Sequence, residues 1–247
     1  MLPGCASKYG EQKTKVNYYP QCYSPIKQLR EDENLVAKST ATGAVTGALA
    51  GAVIGGLATG KVEGAVVGAA AGGAVGAAGG YAYGKHQQQK RDAEFFKKYA
   101  TALDEDIESM GRTIGAAKVA RKCYNDQFKQ LIADYKSGRI TAKERDERYK
   151  EIRTGLQEVS FILQQKYDDM SAKDAEYEKA LADDYTKAPA AKKTYKKENT
   201  QNLKARSSTF KKSRNELSEE SKAIEADQAT HDNIIATLDV SGANNAA

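Results

Sequence analysis

Residues Ala41–Gly84 read ATGAVTGALAGAVIGGLATGKVEGAVVGAAAGGAVGAAGGYAYG and hold 14 of the chain's 21 glycines. Most recur at every fourth position: Gly43, Gly47, Gly51 and Gly55, then Gly60, Gly64, Gly68, Gly72, Gly76, Gly80 and Gly84. A four-residue repeat returns to one face of an α-helix, so each run forms a stripe without side chains. Such a stripe lets two helix backbones approach closely, the small-xxx-small packing of membrane helices. Thr42–Thr59 is uncharged, and Val62–Gly84 carries only Glu63. At 1.5 Å per residue, each half reaches about 27–30 Å, the hydrocarbon thickness of a bilayer. Gly60–Gly64 then reads as a tight turn, and the expectation for 41–84 is a glycine-zipper transmembrane hairpin.

Tyr81 and Tyr83, followed by Lys85, would mark the membrane interface. Glycine costs about 1 kcal/mol relative to alanine in a helix in water. An unpaired backbone group in hydrocarbon costs several, so the helical form is favoured there. Large apolar side chains are few, among them Val45, Leu49, Ile54 and Leu57. A single copy would insert marginally, and homo-oligomers are expected. Packing of the ladder without a membrane and low-complexity disorder are the competing readings; the strict period argues against disorder.

Upstream, residues 1–40 read as a lipidated arm or tether. Leu2-Pro3-Gly4-Cys5 has the form of a small residue preceding an acylated cysteine, so Cys5 is the candidate lipidation site, although no apolar signal core precedes it. Pro20, Pro25 and the tyrosines Tyr18, Tyr19 and Tyr23 suggest an irregular docking segment, with the tyrosines at a membrane interface, in a partner groove or packed locally. If Cys5 is modified, Cys22 and Cys123 are left either as a disulfide pair or as two free thiols, and the sequence leaves both open.

Downstream, residues 85–188 change character to charged, glycine-poor and periodic. Phe96, Tyr99, Leu103, Ile107, Met110, Ile114, Ala117, Tyr124, Phe128, Leu131 and Tyr135 recur at three and four, a helical stripe. Gly111 and Gly115 interrupt it as a place for a kink or a close crossing. Ser137-Gly138-Arg139-Ile140 ends this helix with a glycine cap, and Thr141…Glu144 restarts it as a capping box. A second stripe follows in Tyr149, Ile152, Leu156, Val159, Leu163, Lys166/Tyr167, Met170, Tyr177, Leu181 and Tyr185. The short turn at 137–141 makes the two helices antiparallel, coiled-coil-like neighbours.

Pro189 closes the second helix, and residues 189–240 form a third, charged one. Leu203, Phe210, Leu217, Ile224 and Leu238 are spaced by seven, with His231 in the missing slot as a packing residue, a pH-sensitive contact being the other reading. Residues 241–247 are expected to be a disordered tail. The fold class expected is thus all-α, the membrane hairpin followed by long helices that project as a rod roughly 70 Å long.

Total charge is mild: 38 basic against 33 acidic residues, +5 net, which does not call for nucleic acid. Lys187–Arg214 holds ten basic residues against Glu198 alone. That concentration is either a solvated face or a contact for anionic lipid or envelope polymer. Asp104, Glu105, Asp106 and Glu108 read as an exposed, solubilising run. No phosphate loop, nucleophile elbow, HExxH or Cys/His cluster occurs, so no catalytic residue, cofactor or metal ligand is assigned.

The ladder, with Gly51-Ala-Val-Ile-Gly55-Gly56, Gly68-Ala-Ala-Ala-Gly72-Gly73 and the preceding Cys5, resembles the glycine-zipper domain of small bacterial envelope lipoproteins of the SlyB and surface-antigen type. Around the turn, Leu131…Glu144 is locally similar to the SHOCT helix-turn-helix, an oligomerisation module. The first resemblance, covering roughly residues 1–90, implies an outer-membrane lipoprotein concerned with envelope integrity. The functional expectation is a structural, self-associating lipoprotein facing the periplasm or the cell surface, with membrane lipid and other envelope components as partners. An oligomeric pore or secretion component lined by the zipper hairpins is the alternative.

Overall fold

The computed structural model describes residues 9–42, 77–181 and 197–244. These form four helices, α1 (Pro20–Thr42), α2 (Ala77–Lys136), α3 (Ala142–Leu181) and α4 (Lys197–Asn244), and no strand occurs among the described residues. They fall into two packed units. The first takes residues 9–37, 109–169 and 213–244, the second 38–42, 77–108, 170–181 and 197–212.

The turn between α2 and α3 forms as its residues dictate. Gly138 adopts φ +73°, a left-handed conformation open to glycine. The Arg139 N–H donates to the Asp134 carbonyl at 2.9 Å, closing the end of α2. Thr141 Oγ1 then accepts from the Glu144 N–H at 3.2 Å and caps α3.

In the first unit the stripes of α2 and α3 meet antiparallel. Met110, Ala117, Ala120, Tyr124, Ile152, Leu156, Ile162 and Leu163 are at most 1% exposed. α4 joins them through Leu217 and Ile224, both fully buried, so the seven-residue spacing of its stripe does place a core face. α1 adds Ile26 and Leu29 against Thr113, Ala117, Val159 and Ile162. In the second unit Tyr99, Leu103, Tyr177, Leu203 and Phe210 make the core, with Tyr177 edge-on to both Tyr99 and Phe210.

Several expectations are corrected. The transmembrane hairpin is overturned: among the described residues no helix is long and apolar enough to cross a membrane. α2 starts at Ala77, inside the second glycine run, and takes Gly80 and Gly84 into a helix that continues through Lys85, Lys90, Arg91, Asp92 and Glu94. Those charges follow too closely for any stretch from Ala77 to stay apolar over a bilayer's thickness. The transmembrane helix and the pore reading fall with the hairpin. Gly43, Gly47, Gly51, Gly55, Gly60, Gly64, Gly68, Gly72 and Gly76 lie outside the described residues, as do Cys5, Tyr185 and Pro189.

Residues 20–42 form a helix where the prolines suggest an irregular segment. Pro20 occupies its first position, where a missing N–H costs nothing. Pro25 removes one intrahelical bond, which the contacts described below offset. Gly111 and Gly115 make no close crossing, since a methyl built on either meets nothing within 4 Å. Asp106 is buried rather than part of a solvated run; it accepts from Lys173 Nζ at 2.5 Å and from the Tyr177 hydroxyl at 2.9 Å. α4 runs on through Asn244, past the end expected at 240.

Candidate functional site

The most elaborate polar arrangement in the first unit joins the N-terminal arm to α3. It is built on Glu151 and Glu158, which are seven residues apart and therefore share one helical face. Both carboxylates are buried, at 4% and 1% exposure. Left unpaired, each would be strongly destabilising. The arm satisfies them.

Glu151 takes three successive backbone N–H groups. Its Oε2 accepts from Asn17 and Tyr18 and its Oε1 from Tyr19, all at 2.8 Å. These amides immediately precede α1, whose first turn carries no acidic residue of its own. A carboxylate from a distant helix thus supplies the anion that a helix N-terminus favours. Glu158 accepts from the Thr14 N–H at 3.1 Å, the Thr14 hydroxyl at 2.6 Å, the Tyr23 hydroxyl at 3.0 Å and Arg30 Nη1 at 2.7 Å. Arg30 Nη2 donates onward to the Gly10 carbonyl at 2.6 Å. Burial, reinforced by Glu158, pushes the Tyr23 phenol well above its usual range, so it stays a donor.

A covalent bond completes the clamp: Cys22 of α1 and Cys123 of α2 form a disulfide across 101 positions of sequence. Of the three tyrosines noted in the sequence, Tyr19 and Tyr23 pack into the chain's own bundle, and Tyr18 remains 37% exposed.

Gly155 belongs to the same region, and no sequence signal singles it out. A Cβ there would overlap the Tyr124 ring at Cζ, and Tyr124 is fully buried beside the disulfide's Cys123. The ring fills the notch that the missing side chain leaves. Gly155→Ala is expected to destabilise by about 1–3 kcal/mol through overpacking, despite alanine's better helix propensity. Thermal unfolding should show the loss, and Tyr124→Leu added to Gly155→Ala should recover part of it. An unchanged Tm in the single variant would mean the ring moves freely.

His231 sits where α4 meets α2, stacked on Phe128 at 3.7 Å between ring centroids. With Ile132 and Ile234 these rings line an open groove of about 600 Å³. Burial holds the His231 pKa below its ordinary 6.5, against the pull of Asp227 and Asp232 on its own helix. Asp227 is bonded by Arg121 and Asn125 of α2, and Asp232 by Tyr149 of α3. The folded state therefore prefers neutral imidazole. Its contribution to stability is present above pH 6.5 and is lost as the pH falls through the lower folded value. Urea unfolding at pH 7 and pH 5 should show a decline that His231→Gln reduces; an identical decline in the variant would remove His231 as its source.

No group of three His, Cys, Asp or Glu side chains able to hold a metal ion occurs among the described residues. Every oxygen of Glu151 and Glu158 named above is already occupied by the arm. The arrangement fastens; it does not present groups to a substrate.

A YMGG-like Gly-zipper family model matches residues 28–84. The match covers 57 of 247 residues, from within α1, through the ladder, to the first turns of α2. It bears out a glycine zipper in the general sense and does not single out the SlyB and surface-antigen type. It supports a broad association with the bacterial envelope. No curated protein matches the chain significantly, and no solved structure does. Together with the helical packing, the zipper fits a structural protein.

Proposed function

We propose that the chain is a self-associating lipoprotein of the bacterial cell envelope, acylated at Cys5, whose helices form a scaffold fastened to the outer membrane and facing the periplasm. The observation that carries this reading is the Cys22–Cys123 disulfide. A buried bridge that holds an arm to a helical bundle belongs to an oxidising compartment, such as the periplasm. The zipper match over 28–84 supports the envelope as the setting. The four-residue period supports close packing of Gly51, Gly68, Gly72 and Gly76 against a second copy. Basic residues of Lys187–Arg214 would meet anionic envelope components. Among the described ones, Arg206 pairs with Asp104, Lys211 with Glu178, and Arg214 lies over the Tyr167 ring.

Mass spectrometry of the Cys5 peptide from membrane-extracted protein, with size measurement in mild detergent, tests the proposal. Acylated Cys5 and an oligomer that Gly72→Leu dissociates are the expected results. An unmodified, monomeric protein would sink it.

A further inference from the structure

We propose that the groove between α2 and α4 binds a small carboxylate with an apolar chain, the carboxylate held by His231 and Lys129 and the chain lying along Ile132 and Ile234. The site stands apart from the acylation and self-association proposed above, and all of its residues belong to the first unit.

The groove has a volume of about 600 Å³, within the range of about 300–1,000 Å³ usual for small-molecule sites. Its aromatic wall is fixed before any ligand arrives. His231 is stacked on Phe128, and Phe128 rests on Tyr149 of α3 with ring centroids 5.6 Å apart. Beside these rings Ile132 is half-buried and Ile234 leaves 37% of its surface to solvent. From Phe128 to Lys136, α2 rises about 12 Å, room for an alkyl chain of medium length. Its tail would end against the aliphatic stem of Lys136, which also lines the groove.

The polar end follows from His231. The side chain is 7% exposed, yet no hydrogen bond reaches it among the described residues, and its Nδ1 is wholly enclosed. A buried polar group without a partner costs free energy, which a ligand can recover. Neutral imidazole has one donor and one acceptor, and with Nδ1 sealed off only Nε2 can meet a partner from the groove. Carrying the proton there, it donates. Charge decides what it donates to. The one acid lining the groove, Asp227, is already bonded by Arg121 Nε at 2.7 Å and Asn125 Nδ2 at 2.5 Å. Lys129 lies 3.6 Å from Asp126 with its side chain 77% exposed, and Lys122 also bonds Asp126, at 2.6 Å. Lys129 can therefore turn to a ligand without orphaning that acid. A carboxylate, which only accepts, suits an N–H and an ammonium together.

Isothermal titration calorimetry of the full chain tests this, with Cys5→Ser to keep acyl groups away while Cys22 and Cys123 still pair. Decanoate should bind saturably at one site per chain. Acetate, which lacks the chain, and decyltrimethylammonium, which reverses the charge, should not bind. His231→Phe keeps a ring on Phe128 and Lys129→Met keeps the aliphatic stem; each should weaken decanoate binding about tenfold, the worth of one charge-assisted hydrogen bond. Lys143→Met, an exposed change outside the groove, should have no effect. The chain has two histidines, His86 and His231, so proton NMR of their rings gives a readout that needs no groove variant. Decanoate should shift the His231 ring signals and leave those of His86 in place, the two being assigned with His86→Gln. Absence of saturable binding, equal binding of decyltrimethylammonium, affinity undiminished in both groove variants, or His231 signals that do not move would each overturn the site.

Discussion

Replacing Glu158 by alanine is expected to lower the unfolding free energy by about 3–5 kcal/mol, the usual cost of removing one partner from a buried ion pair. The physical reason is the group left behind. Arg30 is 8% exposed, and without Glu158 its guanidinium keeps only the Gly10 carbonyl among the bonds described. The Tyr23 hydroxyl and both donors of Thr14 lose their acceptor as well. Urea unfolding measures the loss, and amide exchange should show α1 opening first. A second variant separates clamp from charge: Glu158→Leu combined with Arg30→Met removes both ions and should recover much of the stability, because no buried charge is then orphaned. A cost below about 1 kcal/mol for Glu158→Ala would mean that the arm is not clamped in solution.

Breaking the disulfide, by Cys22→Ser or by reduction, should cost about 2–5 kcal/mol. The bridge closes a loop with a sequence separation of 101 residues, which restricts the unfolded chain heavily. Calorimetry of oxidised and reduced protein checks this. The loss should combine with that of Glu158→Ala less than additively, since both changes release the same arm. Strict additivity would indicate that the bridge and the carboxylate act on separate elements. The amides around Tyr99 and Tyr177, in the other unit, should exchange at unchanged rates in the reduced protein.

The part of the fold legible in the sequence is the part built from neighbours. Stripes at three and four place Tyr99, Leu103, Met110, Leu156 and Leu163 in the core because helical periodicity alone decides which residues share a face. Gly138 and Thr141 place the turn because a left-handed residue and a capping hydroxyl act within a few positions. Even the thin stripe of α4, Leu203 to Ile224, is readable from its spacing. Where the reading fails, the cause is an unseen neighbour. Pro20 and Pro25 argue for irregular chain, but anchoring by Glu151 and Cys123 makes a helix there sustainable. Asp106 looks solvated because its partners, Lys173 and Tyr177, lie 67 and 71 residues away.

Local patterns in the chain suffice to make it helical, to fix where the α2–α3 turn falls, and to set a glycine ladder of period four between the arm and the long helices. Folding in three dimensions was needed to turn Glu151 and Glu158 into a clamp, to bring Cys22 to Cys123, and to make Gly155 a notch for Tyr124. A carboxylate flanking an apolar stripe has the same sequence signature whether water or a docked arm covers it. The segment that covers these two comes from more than 120 residues away. The ladder poses the same question: its period says which glycines would share a face of a helix, and not what would meet that face.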